Sequence, residues 1–362
     1  MAALLLSTGI GARAQDIGGI SGKANSSAAA ALAYWTPERL RSAKDLPLIV
    51  VPRSGGVVVP ETFQVSPESQ SSDGYQPLVE PKAANPGPQV KLTANDIGAT
   101  PDLGVTPFSK GSAGYPFSTS LVFPDSEVNQ YPYRLAGKLF FVDNGGNFVC
   151  TASIIRQRII QTAGHCVYDT AVNKWNSNFL FIPAYNWNLS TQPFGSWGWA
   201  YAAVPNGWIN GSQSFPNSYD FGWIEAVDHN VGRIGSYLGY FGWQSFALVG
   251  NHITQLGYPG NLDSGKRMMR NDAQVYNAGV AGEIGTAMWK GASGGPWVQD
   301  FGIVAPGQYI TSTGANRIVG VSSYASTSQP TPGPQYMGAT IFNQAFINGL
   351  NFICAHRAGN CS

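Results

Sequence analysis

From about residue 116 the chain alternates short apolar runs with clusters of Gly, Asn, Pro and Ser. RLAGKLFFV (134–142), FVCTASII (148–155), RIIQTAG (158–164), FLFIPAY (179–185), FGWIEAV (221–227), HITQLGY (252–258) and RIVGVSSY (317–324) each have strand length and many β-branched or aromatic side chains. Such a series, punctuated by turn residues, predicts an all-β barrel or sandwich. Only AFINGLNFI (345–353) spaces its apolar residues at helical intervals, so a short C-terminal helix is expected there. No internal repeat is evident.

The first third reads differently. Residues 1–14 join an apolar run, Ala2 to Leu6, to the small-x-small pattern Ala12-Arg13-Ala14, which predicts a signal peptide and export. The run is too short to span a membrane. Residues 15–115 are expected to be a weakly structured pro-segment and linker, with 82–108 rich in Pro, Gly, Ala and Asn. A small accessory domain or a disordered arm fits the same composition. Within it, LPLIVVPRSGGVVVPE (46–61) offers two apolar runs around Ser54-Gly55-Gly56, a candidate hairpin. The remaining span, 116–362, is the expected main β domain.

Composition narrows the partners. Charged residues are only 11% of the chain and the formal charge is +1, so no global field draws nucleic acid or anionic lipid. Neither partner nor a membrane association is expected. The four cysteines, Cys150, Cys166, Cys354 and Cys361, lack the CxxC spacing of a zinc site. They allow three pairings, of which Cys150–Cys166 and Cys354–Cys361 are the simplest; four free buried thiols remain the alternative. The abundant tryptophans, among them Trp187, Trp197, Trp199 and Trp208, fall in strand-rich segments and are expected in the core rather than on a sugar-binding face. The sequons at Asn188 and Asn210 matter only in a eukaryotic secretory pathway.

Three segments carry the parts of a nucleophilic site. A hydroxyl nucleophile needs a base within hydrogen-bond reach, itself oriented by a third group. Thr162-Ala163-Gly164-His165-Cys166 places a His after an apolar run and beside a cysteine able to anchor its loop. Ser218-Tyr219-Asp220-Phe221-Gly222-Trp223 places one acid where neighbours would bury it, and an imidazole N–H would satisfy that carboxylate. Asp228, Asp263 and Asp272 compete, each in a polar, loop-like context. Gly291-Ala292-Ser293-Gly294-Gly295-Pro296 surrounds a Ser with glycines that permit unusual dihedrals, and the amides of Gly291 and Ser293 are candidates for an oxyanion hole. GASGG also satisfies G-x-S-x-G, the nucleophile elbow of an esterase fold. That fold runs Ser, acid, His, whereas the one His after Ser293 is His356 and no helical pattern follows the serine.

TAGHC, the acid in YDFGW and SGGP, in that order, resemble the chymotrypsin-like serine endopeptidases. CTASIIRQRIIQTAGHCVYD, SYDFGWIEA and GVSSY followed by GATIFNQAFINGL are most similar to the secreted bacterial glutamyl-endopeptidase-like branch. The resemblance covers about 116–353 and implies two six-stranded antiparallel β-barrels with the site in the cleft between them. It implies His165 as general base and then acid, Asp220 as its orienting group and Ser293 as the attacking group. The implied reaction is peptide-bond hydrolysis by a secreted monomer on protein or peptide substrates, with neither metal nor organic cofactor. A non-catalytic binding relative and a secreted esterase are the alternatives.

Two departures from the family pattern carry expectations. Ala292 stands where animal relatives carry the Asp that pairs with a new N-terminal ammonium, so an inhibitory pro-segment would have to cover the cleft or act through another contact. Glutamyl endopeptidases carry a His in the strand walling the substrate pocket, where this chain reads Gly320-Val321-Ser322-Ser323-Tyr324. With Ala287 and Met288 near the expected pocket base, an uncharged side chain is favoured over an acidic one. Lys290 sits at the expected rim, to attract acidic groups or simply to be solvated.

Overall fold

The computed structural model describes residues 19–51, 65–82, 115–187, 192–302, 315–326 and 336–362. Twelve of its strands account for both barrels. The first barrel uses β1 (Ala136–Asp143), β2 (Gly146–Ile154), β3 (Ile159–Thr162), β4 (Ser177–Pro183), β5 (Trp197–Pro205) and β6 (Gly222–Ala226). They pair in the ring β1-β2-β3-β6-β5-β4-β1, all antiparallel, and so close the barrel, leaving only the strand ends that overhang their neighbours unpaired within the ring. Asn144 and Gly145, both at positive φ, form the two-residue turn that joins β1 to β2.

The second barrel uses β7 (His252–Gly257), β8 (Met269–Gln274), β9 (Ala281–Gly285), β10 (Pro296–Gln299), β11 (Arg317–Ser326) and β12 (Tyr336–Ile341), in the order β9-β12-β11-β10-β7-β8. It stays half open: β8 and β9 form no ladder with each other, and the strand Phe117–Leu121 pairs with β8 instead. The fold is thus the expected double barrel, with one closed barrel and one partial one.

Inward side chains fill each barrel. Phe140, Ile154, Ile160, Ile182, Trp197 and Trp223 belong to the larger core, and Ile253, Ile284, Met288, Trp297, Val319 and Met337 to the second. Trp187, Trp197, Trp199 and Trp208 are all buried, as their strand context predicts. The C-terminal helix runs Gln344–His356, longer than the apolar spacing indicates. Asn343 caps it by accepting from the Ala345 and Phe346 amides, and the disulfide Cys354–Cys361 ties its last turn to the chain end. Cys150–Cys166 is the other disulfide, so both local pairings form.

Among the described residues of the N-terminal extension no element is longer than seven residues, and most of these elements borrow an edge or face of the barrels. Ile20–Ala24 pairs antiparallel with β5, and the helix Ala28–Tyr34 lies on β4 and β5. Lys44–Asp45 pairs parallel with β2, and Ile49–Val51 pairs parallel with β11. Of the candidate hairpin, the first arm is therefore committed to β11; residues 52–64, with the second arm, lie outside the described residues.

Candidate active site

Register brings the acid to the imidazole. In the β3–β6 pair, Gly222 lies opposite Thr162. Continuing that antiparallel register past the strand ends sets Asp220 beside Gly164 and His165. Gly164 leaves the room required: a Cβ there would stand 3.1 Å from Asp220 Oδ1. The turn Gly164–Cys166 is buried and pinned twice, by the Cys150–Cys166 disulfide to β2 and by Asn176 Nδ2 donating to the Cys166 carbonyl.

The Asp220 carboxylate has no accessible surface, and three donors satisfy it. The His165 backbone N–H donates to Oδ1 at 2.9 Å, His165 Nδ1 lies 2.9 Å from Oδ2 and 3.1 Å from Oδ1, and the Ser323 hydroxyl donates to Oδ2 at 2.5 Å. With Nδ1–H held by the carboxylate, the neutral imidazole presents Nε2 as an acceptor. The rival acids are all committed to arginines: Asp228 to Arg158, Asp263 to Arg267 and Asp272 to Arg270. His356, the base an esterase order would need, is held by Glu225 at 2.7 Å.

Ser293 reaches the site on the loop between β9 and β10. Thr151 of β2 grips that loop across the barrel junction, its N–H donating to the Ser293 carbonyl at 2.8 Å and its hydroxyl to the Gly291 carbonyl at 2.9 Å. Gly294, at φ +76°, presses against the segment leading to His165: a Cβ there would lie 2.0 Å from Thr162 Oγ1 and 2.7 Å from the Ala163 nitrogen. Ser293 Oγ and His165 Nε2 are both buried without a hydrogen-bond partner among the described residues. In the same loop the amides of Ala292, Gly294 and Gly295 are engaged by carbonyls, while those of Gly291 and Ser293 make no such bond among the described residues. Those are the two amides expected to serve an oxyanion. After the serine comes β10, not the helix of a nucleophile elbow.

The expected pocket residues divide. Ala287 is half-buried, held by Asn261 donating to its carbonyl, and Lys290 is exposed. Met288 faces the second core rather than the cleft, because its thioether fills the space above Gly257. Ser322 is buried and accepts from Trp297 Nε1 and Gln255 Nε2. Ser323 is turned toward Asp220, so it orients the acid instead of lining a pocket. The Tyr324 hydroxyl donates to Glu283, and its backbone pairs with Ile49. Sequence reading missed the role of Ser323, which no spacing rule distinguishes from its neighbour, and missed Trp208, whose ring lies 6.4 Å from that of His165.

No family model matches the chain. Protease Anisep from Arthrobacter nicotinovorans superposes with a TM-score of 0.52 at 23% identity, covering 62% of this chain and 98% of that one. A Glu endopeptidase crystallised with MPD gives 0.50 at 23% identity, over 66% and 97%. The fold is the chymotrypsin-like double barrel. In sequence the chain is 28% identical over 195 residues to a glutamyl endopeptidase of Bacillus licheniformis, covering 52% of this chain and 57% of that protein. It is 27% identical over 136 residues to an extracellular metalloprotease of Bacillus subtilis, covering 37% and 41%. The chain thus spans about half the length of these relatives.

The second relative's name raises the question of a metal. Among the described residues, the group of potential ligands close enough to share an ion is Cys150, His165 and Cys166. Its two sulfurs are bonded to each other, which leaves the imidazole alone and no thiolate to coordinate.

Proposed function

We propose that this chymotrypsin-like chain is a serine endopeptidase acting through His165, Asp220 and Ser293 on protein or peptide substrates. The observation that carries the reading is the pattern of hydrogen bonding. Asp220 is saturated by donors and fixes the imidazole through Nδ1, while Nε2 and the Ser293 hydroxyl are the unpaired groups.

His165 Nε2 takes the Ser293 proton as Oγ attacks the scissile carbonyl, and Asp220 stabilises the imidazolium that forms. The amides of Gly291 and Ser293 receive the negative charge on the carbonyl oxygen. His165 then returns the proton to the leaving amine, giving an acyl-enzyme that water hydrolyses by the same route in reverse. Ala287, uncharged and half-buried, favours an uncharged substrate side chain over an acidic one. Two disulfides suit an oxidising compartment, and a secreted protein is the location this reading takes.

The test is labelling with a fluorophosphonate and mapping of the modified peptide, followed by peptide and ester assays. Ser293 is expected to carry the label, and Ser293→Ala to lose peptidase activity by roughly 10^6-fold. A label on another serine would overturn the assignment. Ester hydrolysis without peptide hydrolysis would overturn the endopeptidase reading in favour of an esterase.

A further inference from the structure

Resting on that reading, the geometry points to an inhibitor built into the chain: residues Lys44–Val51 lie across the cleft as an uncut peptide ligand anchored by Asp45. Three contacts surround the Ser293 loop. On the first barrel, Lys44–Asp45 adds to β2 in parallel and the Leu46 amide donates to the Val149 carbonyl, next to the disulfide that holds the His165 turn. On the second barrel, Ile49–Val51 adds to Tyr324–Ser326 of β11, directly after the serine that orients Asp220. Between the two, Leu48 is buried against Trp289 and Ala325.

Asp45 occupies the position that matters most for chemistry. Its carboxylate fills the space beside two glycines: a Cβ on Gly291 would lie 2.7 Å from Asp45 Oδ1, and one on Gly260 would lie 1.6 Å from Oδ2. Gly291 is an oxyanion-hole candidate, so the Asp45 carboxyl is packed against the loop on which the transition state would develop its charge. Lys138 and Lys290 supply the positive field around it. Burial raises the Asp45 carboxyl above its usual range and both lysines oppose that rise, while burial lowers Lys138 to about 8. The group packed against Gly291 is a side-chain carboxyl, which is no acyl donor, and Pro47 removes an N–H at the crossing between barrels. The segment therefore binds without offering a bond to cut.

The outcome is visible at the nucleophile. Ser293 has no accessible surface, although an attacking hydroxyl must meet a substrate carbonyl. A cavity of about 660 Å³ remains between Leu46–Val51 and a wall that includes His165, Trp208 and Phe215, so the imidazole side is partly open while the serine is closed. With Ala292 in place of an activating Asp, inhibition has to come from covering the cleft or from another contact, and Lys44–Val51 takes the first course.

The test measures the rate of fluorophosphonate labelling at Ser293 in the full chain. The unaltered protein is expected to label at least tenfold more slowly than Asp45→Ala or Leu48→Glu, and a synthetic peptide spanning 44–51 is expected to slow the two variants again. Asp45→Ala combined with Lys290→Ala should be no faster than Asp45→Ala alone. Equal labelling rates in wild type and variants would overturn the inhibitor while leaving the protease reading intact; no labelling of Ser293 in any form would overturn both. Hydrogen exchange on the unaltered chain gives a check free of substitutions. Protection at Leu46 and Ile49–Val51 should be lost once Ser293 is labelled, and unchanged protection would overturn the inference.

Discussion

A carboxylate with no accessible surface needs several donors, and Asp220 takes its three from two elements, the His165 turn and β11. Asp220→Asn keeps the shape but favours the wrong imidazole tautomer, so kcat is expected to fall about 10^4-fold with the fold unaltered. Ser323→Ala removes one hydrogen bond to a charged group; steady-state kinetics should show kcat lower by roughly tenfold and KM little changed. A proportionate rise in KM would instead mean that Ser323 meets the substrate. Asp220 was legible in the sequence because an acid leading into an apolar run must find a partner. Ser323 was not, since a hydroxyl between Ser322 and Tyr324 gives no sign of which face it takes until the β11 register is known.

At the scale of elements, the tie between β2 and the His165 turn is covalent. Replacing Cys150 and Cys166 together by Ala is expected to cost about 3 kcal/mol, read as a lower urea midpoint, because a loop of some fifteen residues is released in the unfolded chain. Gly294 closes the same junction from the other side. Its positive φ and the 2.0 Å approach to Thr162 make Gly294→Ala a change of backbone, and a loss of more than 2 kcal/mol with greatly reduced labelling of Ser293 is expected. The barrel strands could be read from apolar runs bounded by turn residues, since several of them are buried on both faces and so run continuously apolar. The short strands of the extension could not. Lys44–Asp45 and Ile49–Val51 have too few residues to show a period, and they are strands only because β2 and β11 lend them an edge.

For the whole molecule, near-neutral charge leaves acid stability to individual buried groups. His229 stacks on Trp197 at 3.9 Å with both ring nitrogens unpaired, and burial lowers it from 6.5 to about 4. Between those values the unfolded chain binds the proton that the folded chain refuses, so stability should decline as pH falls from about 6.5 to about 4. In urea titrations across that range His229→Phe should flatten the decline, and an unchanged slope would show that other groups govern it.

The C-terminal helix leaves the second barrel directly after β12 and lays Phe346 against Phe221 and Trp223 of the first. Gly349 meets the Trp223 ring so closely that a Cβ would stand 2.0 Å from it. Neither barrel can melt without stripping that joint. Heating should therefore give one calorimetric transition whose van 't Hoff and measured enthalpies agree, whereas Gly349→Leu, by wedging the helix away, should split it into two.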